Sequence, residues 1–291
     1  MTETSRDPRD PAYPPREILE AAFQTVRRAR VPQIPDVVLG LRDELARPEP
    51  RLKVAADLVA QDLAMTGQVL KTVNSPLFRS RSKIGSVHQA VVMLGMDRLT
   101  NLVTAEAIGR LLGTRGGSAR VVWESMLEQA AASVAIARCV TEVSPEESYL
   151  FGLMQDVGSL IFADLLATYG AEWILRAHAE PQVLLAFERA ALGVEHTAVG
   201  FLLAGNWRLP EPIALAIYHH HATSGLEQLA PKVRALVAIS KLAHVLVALS
   251  RGSLDSGEMP AYRESVQQEL ELSVEQWSGL CELAQQGGWG R

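Results

Sequence analysis

The chain lacks most of the features that announce a function directly. Only two of its 291 residues are cysteine. Cys139 and Cys281 stand far apart and form no CxxC pair, which excludes a disulfide framework. Both fall in apolar helical patterns, where buried free thiols are expected. Positive charge is not in excess: 28 Lys and Arg against 33 Asp and Glu leave a net charge of −5. A chain of that sign has no general attraction to nucleic acid or anionic lipid, so neither partner is expected. There is no Walker A loop, no Gly-x-Ser-x-Gly elbow and no Rossmann glycine pattern. The first residues, MTETSRDPRDPAYPPRE, contain no apolar core, so a signal peptide is not expected. No uninterrupted apolar run reaches the ~18 residues of a bilayer span. The stretch from Ala235 is interrupted by Ser240, Lys241 and His244. A cytoplasmic protein is the expectation.

What is present is a helical grammar. Apolar residues make up 48% and charged residues 21%, enough to build a core in one or two domains. Pro8, Pro11, Pro14 and Pro15 mark residues 1–15 as a mobile tail that buries little. Residues 16–30 follow as a short helix with Ile18, Ala22 and Val26 on one stripe. Period-3.6 stripes then recur: Val54, Leu58 and Val59; Met65, Val69 and Val73 behind a cap at Asp62; Val87, Ala90, Val91 and Leu94 behind a Ser86–Gln89 capping box. The glycines 113, 116 and 117 are the best candidate boundary between two lobes. Beyond them a long helix covers Val121 to Val140. Ser144-Pro145-Glu146-Glu147 supplies a cap, a first-turn proline and two acids. Ser273-Val274-Glu275-Gln276 caps a last helix with Trp277, Leu280, Cys281 and Ala284 inward. No segment alternates as a strand would, so the protein is expected to be all-α.

Several segments carry a resemblance. Gly152-Leu153-Met154-Gln155-Asp156-Val157-Gly158 resembles the glycine-flanked His-Asp segment of the HD superfamily of metal-dependent phosphohydrolases. A wider ordered set is more specific: PQIPDVV, DLAMTGQVLKTVNSPLF, SVHQAVVMLGMDRL, ERAALGVEHTAVGFLL and NWRLPEPIALAIYHHH. Together these resemble the HDOD domain, the HD-related output domain of bacterial signalling proteins, over residues 31–250. The resemblance implies a two-lobed helical HDOD fold, with lobes at 31–112 and 118–250. The second lobe would be a degenerate HD-type helical domain. Residues 251–291 would add a loop and C-terminal helices. It also implies a regulatory role, in circuits involving cyclic dinucleotides or two-component relays.

Aligned with HD enzymes, the pocket reads as eroded. The first histidine ligand falls at Ser125, the paired His-Asp is Gln155-Asp156, and the late aspartate falls near Lys241. His196 and either His219 or His220 match family histidines. Divalent metals need imidazole or carboxylate donors. Serine and glutamine are poorer, and an ammonium would repel the ion. No metal, no other cofactor and no hydrolase activity are therefore expected. Asp156 with two histidines could still bind zinc loosely, but without its neighbours a hydrogen-bonded remnant between helices is the expectation. Of His219, His220 and His221, successive helical positions point about 100° apart, so one buried ring with exposed companions is expected. The basic loop Arg79, Arg81 and Lys83 is a possible anion grip whose plainer reading is a solvated loop.

The resulting expectation is a non-catalytic signal-transduction module that binds a protein or a small ligand, with an unknown signalling protein as partner. Its alternatives are a divergent HD-type phosphohydrolase, or a nucleotide sensor in which Lys241 or the arginine loop pairs with phosphate.

Overall fold

The computed structural model describes residues 11–29, 31–78, 83–113 and 116–287, without the side chains of 267 and 268. Among them there is no β-strand. The first five helices are α1 (Arg16–Val26), α2 (Asp36–Leu45), α3 (Leu52–Ala60), α4 (Leu63–Val73) and α5 (Val87–Leu94). The middle of the chain holds α6 (Met96–Leu112), α7 (Ser118–Ala137), α8 (Pro145–Met154), α9 (Val157–Leu165), α10 (Tyr169–Arg176) and α11 (Pro181–Leu192). Last come α12 (His196–Asn206), α13 (Glu211–His219), α14 (Pro231–Ser250), α15 (Met259–Glu269) and α16 (Val274–Gln285).

The helix starts follow the chemistry of the caps. Asp62 accepts the Met65 amide at 2.9 Å, Ser144 accepts that of Glu147 at 3.2 Å, and Ser273 with Gln276 closes a reciprocal capping box. The Ser86 cap differs in one detail. Ser86 accepts the Gln89 amide, but Gln89 Oε1 reaches back one residue further, to the Gly85 amide at 2.8 Å. The extended Ser86 backbone brings that donor within reach.

Two cores form. The smaller gathers Val38, Leu41, Val59, Met65, Val69 and Leu99. The larger runs from Ala22 to Ala284 and is centred on α14. The chain does break between Leu112 and Ser118, but the packing boundary lies along α6 itself. Leu99, Leu102 and Val103 face the small core, whereas Ala105, Ile108 and Leu112 face the large one. Helix α1 joins the second lobe through Ala22, and Trp207 Nε1 ties that lobe to the Pro32 carbonyl at 3.1 Å.

Three expectations need correcting. The first is the tail. Residues 1–10 lie outside the described residues, but Pro14 is buried, and the Tyr13 ring meets Phe201 edge-on at 6.3 Å. A proline-rich segment that cannot form a helix can still lie flat on an apolar face. The second is the bilayer reading. Once Ser240, Lys241 and His244 are averaged with their neighbours, α14 is long and apolar enough to cross a membrane, yet 83% of that stretch is buried inside the protein. Its hydrophobicity is that of a central core helix. The third concerns the two cysteines and Trp277, which are only half-buried at the edge of the large core, where Gln276 of α16 donates to the Cys139 carbonyl.

Candidate functional site

Asp156 occupies the N-cap position of α9, in the two-residue joint with α8, without a side-chain capping hydrogen bond. His196 is the first residue of α12. His220 and His221 follow directly on the end of α13. The three places meet because α9 and α12 touch backbone to backbone. A Cβ on Gly158 would lie 2.0 Å from the His196 carbonyl oxygen, so only glycine admits the approach.

One ligating atom from each of Asp156, His196, His220 and His221 falls within 4.8 Å of the others. All four residues are buried, Asp156 at 1% exposure and His196 and His220 at 0%. Asp156 Oδ1 is 3.4 Å from both His196 Nε2 and His220 Nε2, and those two nitrogens are 3.4 Å apart. Oδ1 has no partner in hydrogen-bonding geometry.

The outer nitrogens are held. Both carboxylate oxygens of buried Glu188 lie 2.9 Å from His196 Nδ1, and one of them also accepts the His196 amide at 2.9 Å. The other Glu188 oxygen accepts from the Tyr169 hydroxyl, which also reaches Ser159. His220 Nδ1 donates to the Ile217 carbonyl at 2.7 Å, and His221 Nδ1 meets the Tyr262 hydroxyl at 2.9 Å. Every histidine of the cluster is therefore oriented through Nδ1, the arrangement that fixes tautomers around metal-binding imidazoles.

Electrostatics separate the rings. Burial opposes a charged His196, but Glu188 and Asp156 outweigh it and push the ring up to about 10. Burial likewise opposes the Asp156 carboxylate, yet its contacts with His196 and His220 hold it well below the usual range. Burial and the neighbouring imidazoles push His221 well down. Burial brings His244 down to about 4, opposed by Asp156 and helped by His220 and His196.

The other residues singled out in the sequence disperse. Ser125 pairs its hydroxyl with His178 Nε2 at 3.3 Å, beside a cleft of about 890 Å³ that also meets Trp173 and Arg251. Gln155 makes only a long 3.4 Å contact to Asp156 Oδ2. Lys241 donates to the Ala222 carbonyl at 2.7 Å and lies 5.4 Å from the Tyr262 ring centre. His219 contacts the Ala12 carbonyl at 2.8 Å rather than Asp156. Arg79 and Arg81 lie outside the described residues, and Lys83 is exposed.

The expectation of one buried histidine in the triple run also needs correcting, since both His220 and His221 are buried in the cluster. Helix α13 ends at His219, so the 100° rule no longer governs the two residues after it. Sequence reasoning missed Glu188, Tyr262 and His244. Glu188 lies eight residues before His196, inside the ERAALGVEH segment. Tyr262 comes from α15 and had no local signal.

A cleft of about 590 Å³ opens above the cluster, with His221 at its wall. Tyr13 and Pro14 close one side, and Gln182, Glu195 and Tyr218 the other.

The HDOD domain family model matches residues 31–223. The chain is 24% identical over 234 residues to an uncharacterized protein of Treponema pallidum (strain Nichols), covering 79% of this chain and 44% of that one. It is also 24% identical over 125 residues to the uncharacterized protein YuxH of Bacillus subtilis (strain 168), covering 43% of this chain and 31% of that protein. The chain thus spans less than half the length of the curated relatives it matches. Among solved structures, an HDOD domain protein of unknown function from Geobacter sulfurreducens is similar, with a TM-score of 0.68 and 25% identity over 92% of this chain and 94% of that one. A candidate phosphohydrolase from Shewanella amazonensis SB2B gives 0.65 at 21% identity over 93% and 95%. A candidate signal transduction protein from Marinobacter aquaeolei VT8 gives 0.64 at 20% identity over 92% and 64%. The last two speak to the fold alone.

Proposed function

The chain belongs to the HDOD family, and on that premise we propose that it is a non-catalytic regulatory module of the cytoplasm. It works by presenting a surface to a signalling partner, under the control of what occupies the cleft beside the histidine cluster. The observation that carries this reading is the closure of the site. Hydrolysis of a phosphoester needs a metal with an open position where water and a phosphoryl oxygen bind together. Here Asp156, His196 and His220 are sealed from solvent, and only His221 borders a cleft. Ser125 is engaged by His178 instead of pointing an imidazole at the cluster. A nucleotide sensor built on Lys241 has less support, because that ammonium is 3% exposed and occupied by the Ala222 carbonyl.

The test is a hydrolysis assay on the full chain with Mg²⁺, Mn²⁺ or Zn²⁺ against bis-p-nitrophenyl phosphate and cyclic dinucleotides. No turnover above the metal-ion blank is expected. Turnover that disappears in Asp156→Ala would overturn the reading in favour of a divergent hydrolase. Mass spectrometry of proteins and small molecules that co-purify from the source cell then identifies the partner and the cleft's ligand.

A further inference from the structure

Three of the converging atoms form an equilateral triangle. His196 Nε2, His220 Nε2 and Asp156 Oδ1 are each 3.4 Å from the other two. That edge belongs to a regular tetrahedron whose centre lies about 2.1 Å from each vertex, the bond length of zinc to imidazole and carboxylate. It is too long for charge-assisted hydrogen bonds, which close to ~2.7–2.9 Å.

The hydrogen inventory points the same way. The Ile217 carbonyl only accepts, so His220 carries its hydrogen on Nδ1 and turns a lone pair inward from Nε2. Glu188 holds the Nδ1 hydrogen of His196, so Nε2 is the nitrogen that faces Asp156, and it offers a lone pair there when a metal ion takes the place of its proton. Asp156 Oδ1 is a buried acceptor with no hydrogen-bond partner. Three such atoms facing one point need positive charge between them, and at 3.4 Å separations a metal ion fits that point better than a shared proton. The Asp156 and Glu188 carboxylates supply two negative charges, which match a divalent ion.

We propose that Asp156, His196 and His220, completed by His221, bind one zinc-class divalent cation as a closed, four-ligand structural site. His221 is within 4.8 Å of the other three donors, and its Nδ1 contact with Tyr262 leaves Nε2 as the ligating nitrogen. The ion pins the α8–α9 joint to the start of α12 and the end of α13, the wall of the cleft. Asp156, His196 and His220 are among the positions that align with HD enzymes and His221 is added to them, so erosion at Ser125, Gln155 and Lys241 leaves this set of donors intact. The inference does not depend on the regulatory reading; an ion held by four protein ligands has no open position for hydrolysis.

The test uses untagged full-length protein stripped by chelator. Addition of Co²⁺ should give the strong visible absorption of four-coordinate cobalt, saturating near one ion per chain. One equivalent of Zn²⁺ should abolish it, and elemental analysis should then find about one zinc per chain. His220→Gln should remove the spectrum, and His221→Gln should weaken binding at least tenfold. His219→Gln, on the neighbouring half-buried ring that contacts the Ala12 carbonyl, should leave it unchanged. The wild-type spectrum needs no variant and so does not depend on any variant's folding. Wild-type protein that retains neither cobalt nor zinc, with a His196 imidazolium proton visible by NMR, overturns the proposal. So does a cobalt spectrum that survives in a folded His220→Gln protein.

Discussion

Gly158→Ala is the sharpest test of how the site is assembled. The added Cβ would stand 2.0 Å from the His196 carbonyl oxygen, 2.8 Å from its carbonyl carbon and 2.9 Å from its Cα. All three are backbone atoms, and the first contact is an ångström nearer than real Cβ atoms come. No rotamer change relieves such a clash, so α9 and α12 must separate. Overpacking of a close-packed interior costs ~1–3 kcal/mol, and contact with backbone puts this case at the upper end. For a chain of this size ~1 kcal/mol corresponds to about 2 °C, so the thermal midpoint should fall by about 6 °C. Separation of the helices also moves His196 away from Asp156, so the variant should bind Co²⁺ more weakly than wild type. Gly205→Ala is the matched control, placed in the partner helix α12. Nothing lies within 4 Å of its Cβ position, and relief of glycine's helix penalty should raise the midpoint by ~1–2 °C. Differential scanning calorimetry of the three proteins decides the matter. A Gly158→Ala midpoint within 1 °C of wild type would refute the claim that backbone contact sets the distance between Asp156 and His196.

Three further outcomes are expected. Glu106 is buried on α6 with Oε1 unpartnered, and burial raises its carboxyl above the ordinary range. A carboxyl raised on folding contributes stability at low pH that is lost as pH climbs through its folded value. Glu106→Gln should therefore raise the midpoint at pH 8 and leave it unchanged at pH 4, and a pH-independent difference would count against this. Ser144→Ala removes the acceptor of the Glu147 amide, which should cost ~1 kcal/mol, or about 2 °C, by thermal melt. Tyr13→Ala loses the edge-on contact with Phe201 and the hydrogen bond to Glu211, and should lower the midpoint by about 2–4 °C, for a loss of ~1–2 kcal/mol. An unchanged midpoint would mean that residues 11–15 contribute nothing to stability.

The sequence by itself determined the helices and the family. Caps at Asp62, Ser144 and Ser273 act through hydrogen bonds of three residues' reach, so they can be read locally. The buried positions Met65, Val69 and Val73 follow from the helical period alone. The order of the NSP, QAV-x-x-LG and W-x-LP segments carried the HDOD assignment, which the match over residues 31–223 shows. The tertiary structure decided everything that depends on where helices end and which of them touch. His220 and His221 both face inward because α13 stops at His219, a matter of one residue that the apolar period cannot resolve. Tyr13 and Pro14 lie on the body because the surface of α12 and α13 was already there to receive them. Glu188 and Tyr262 reach the cluster from α11 and α15, 8 and 41 residues from the histidines they orient. Contacts at such separations are set by the packing of whole helices, and no local pattern in the chain encodes them.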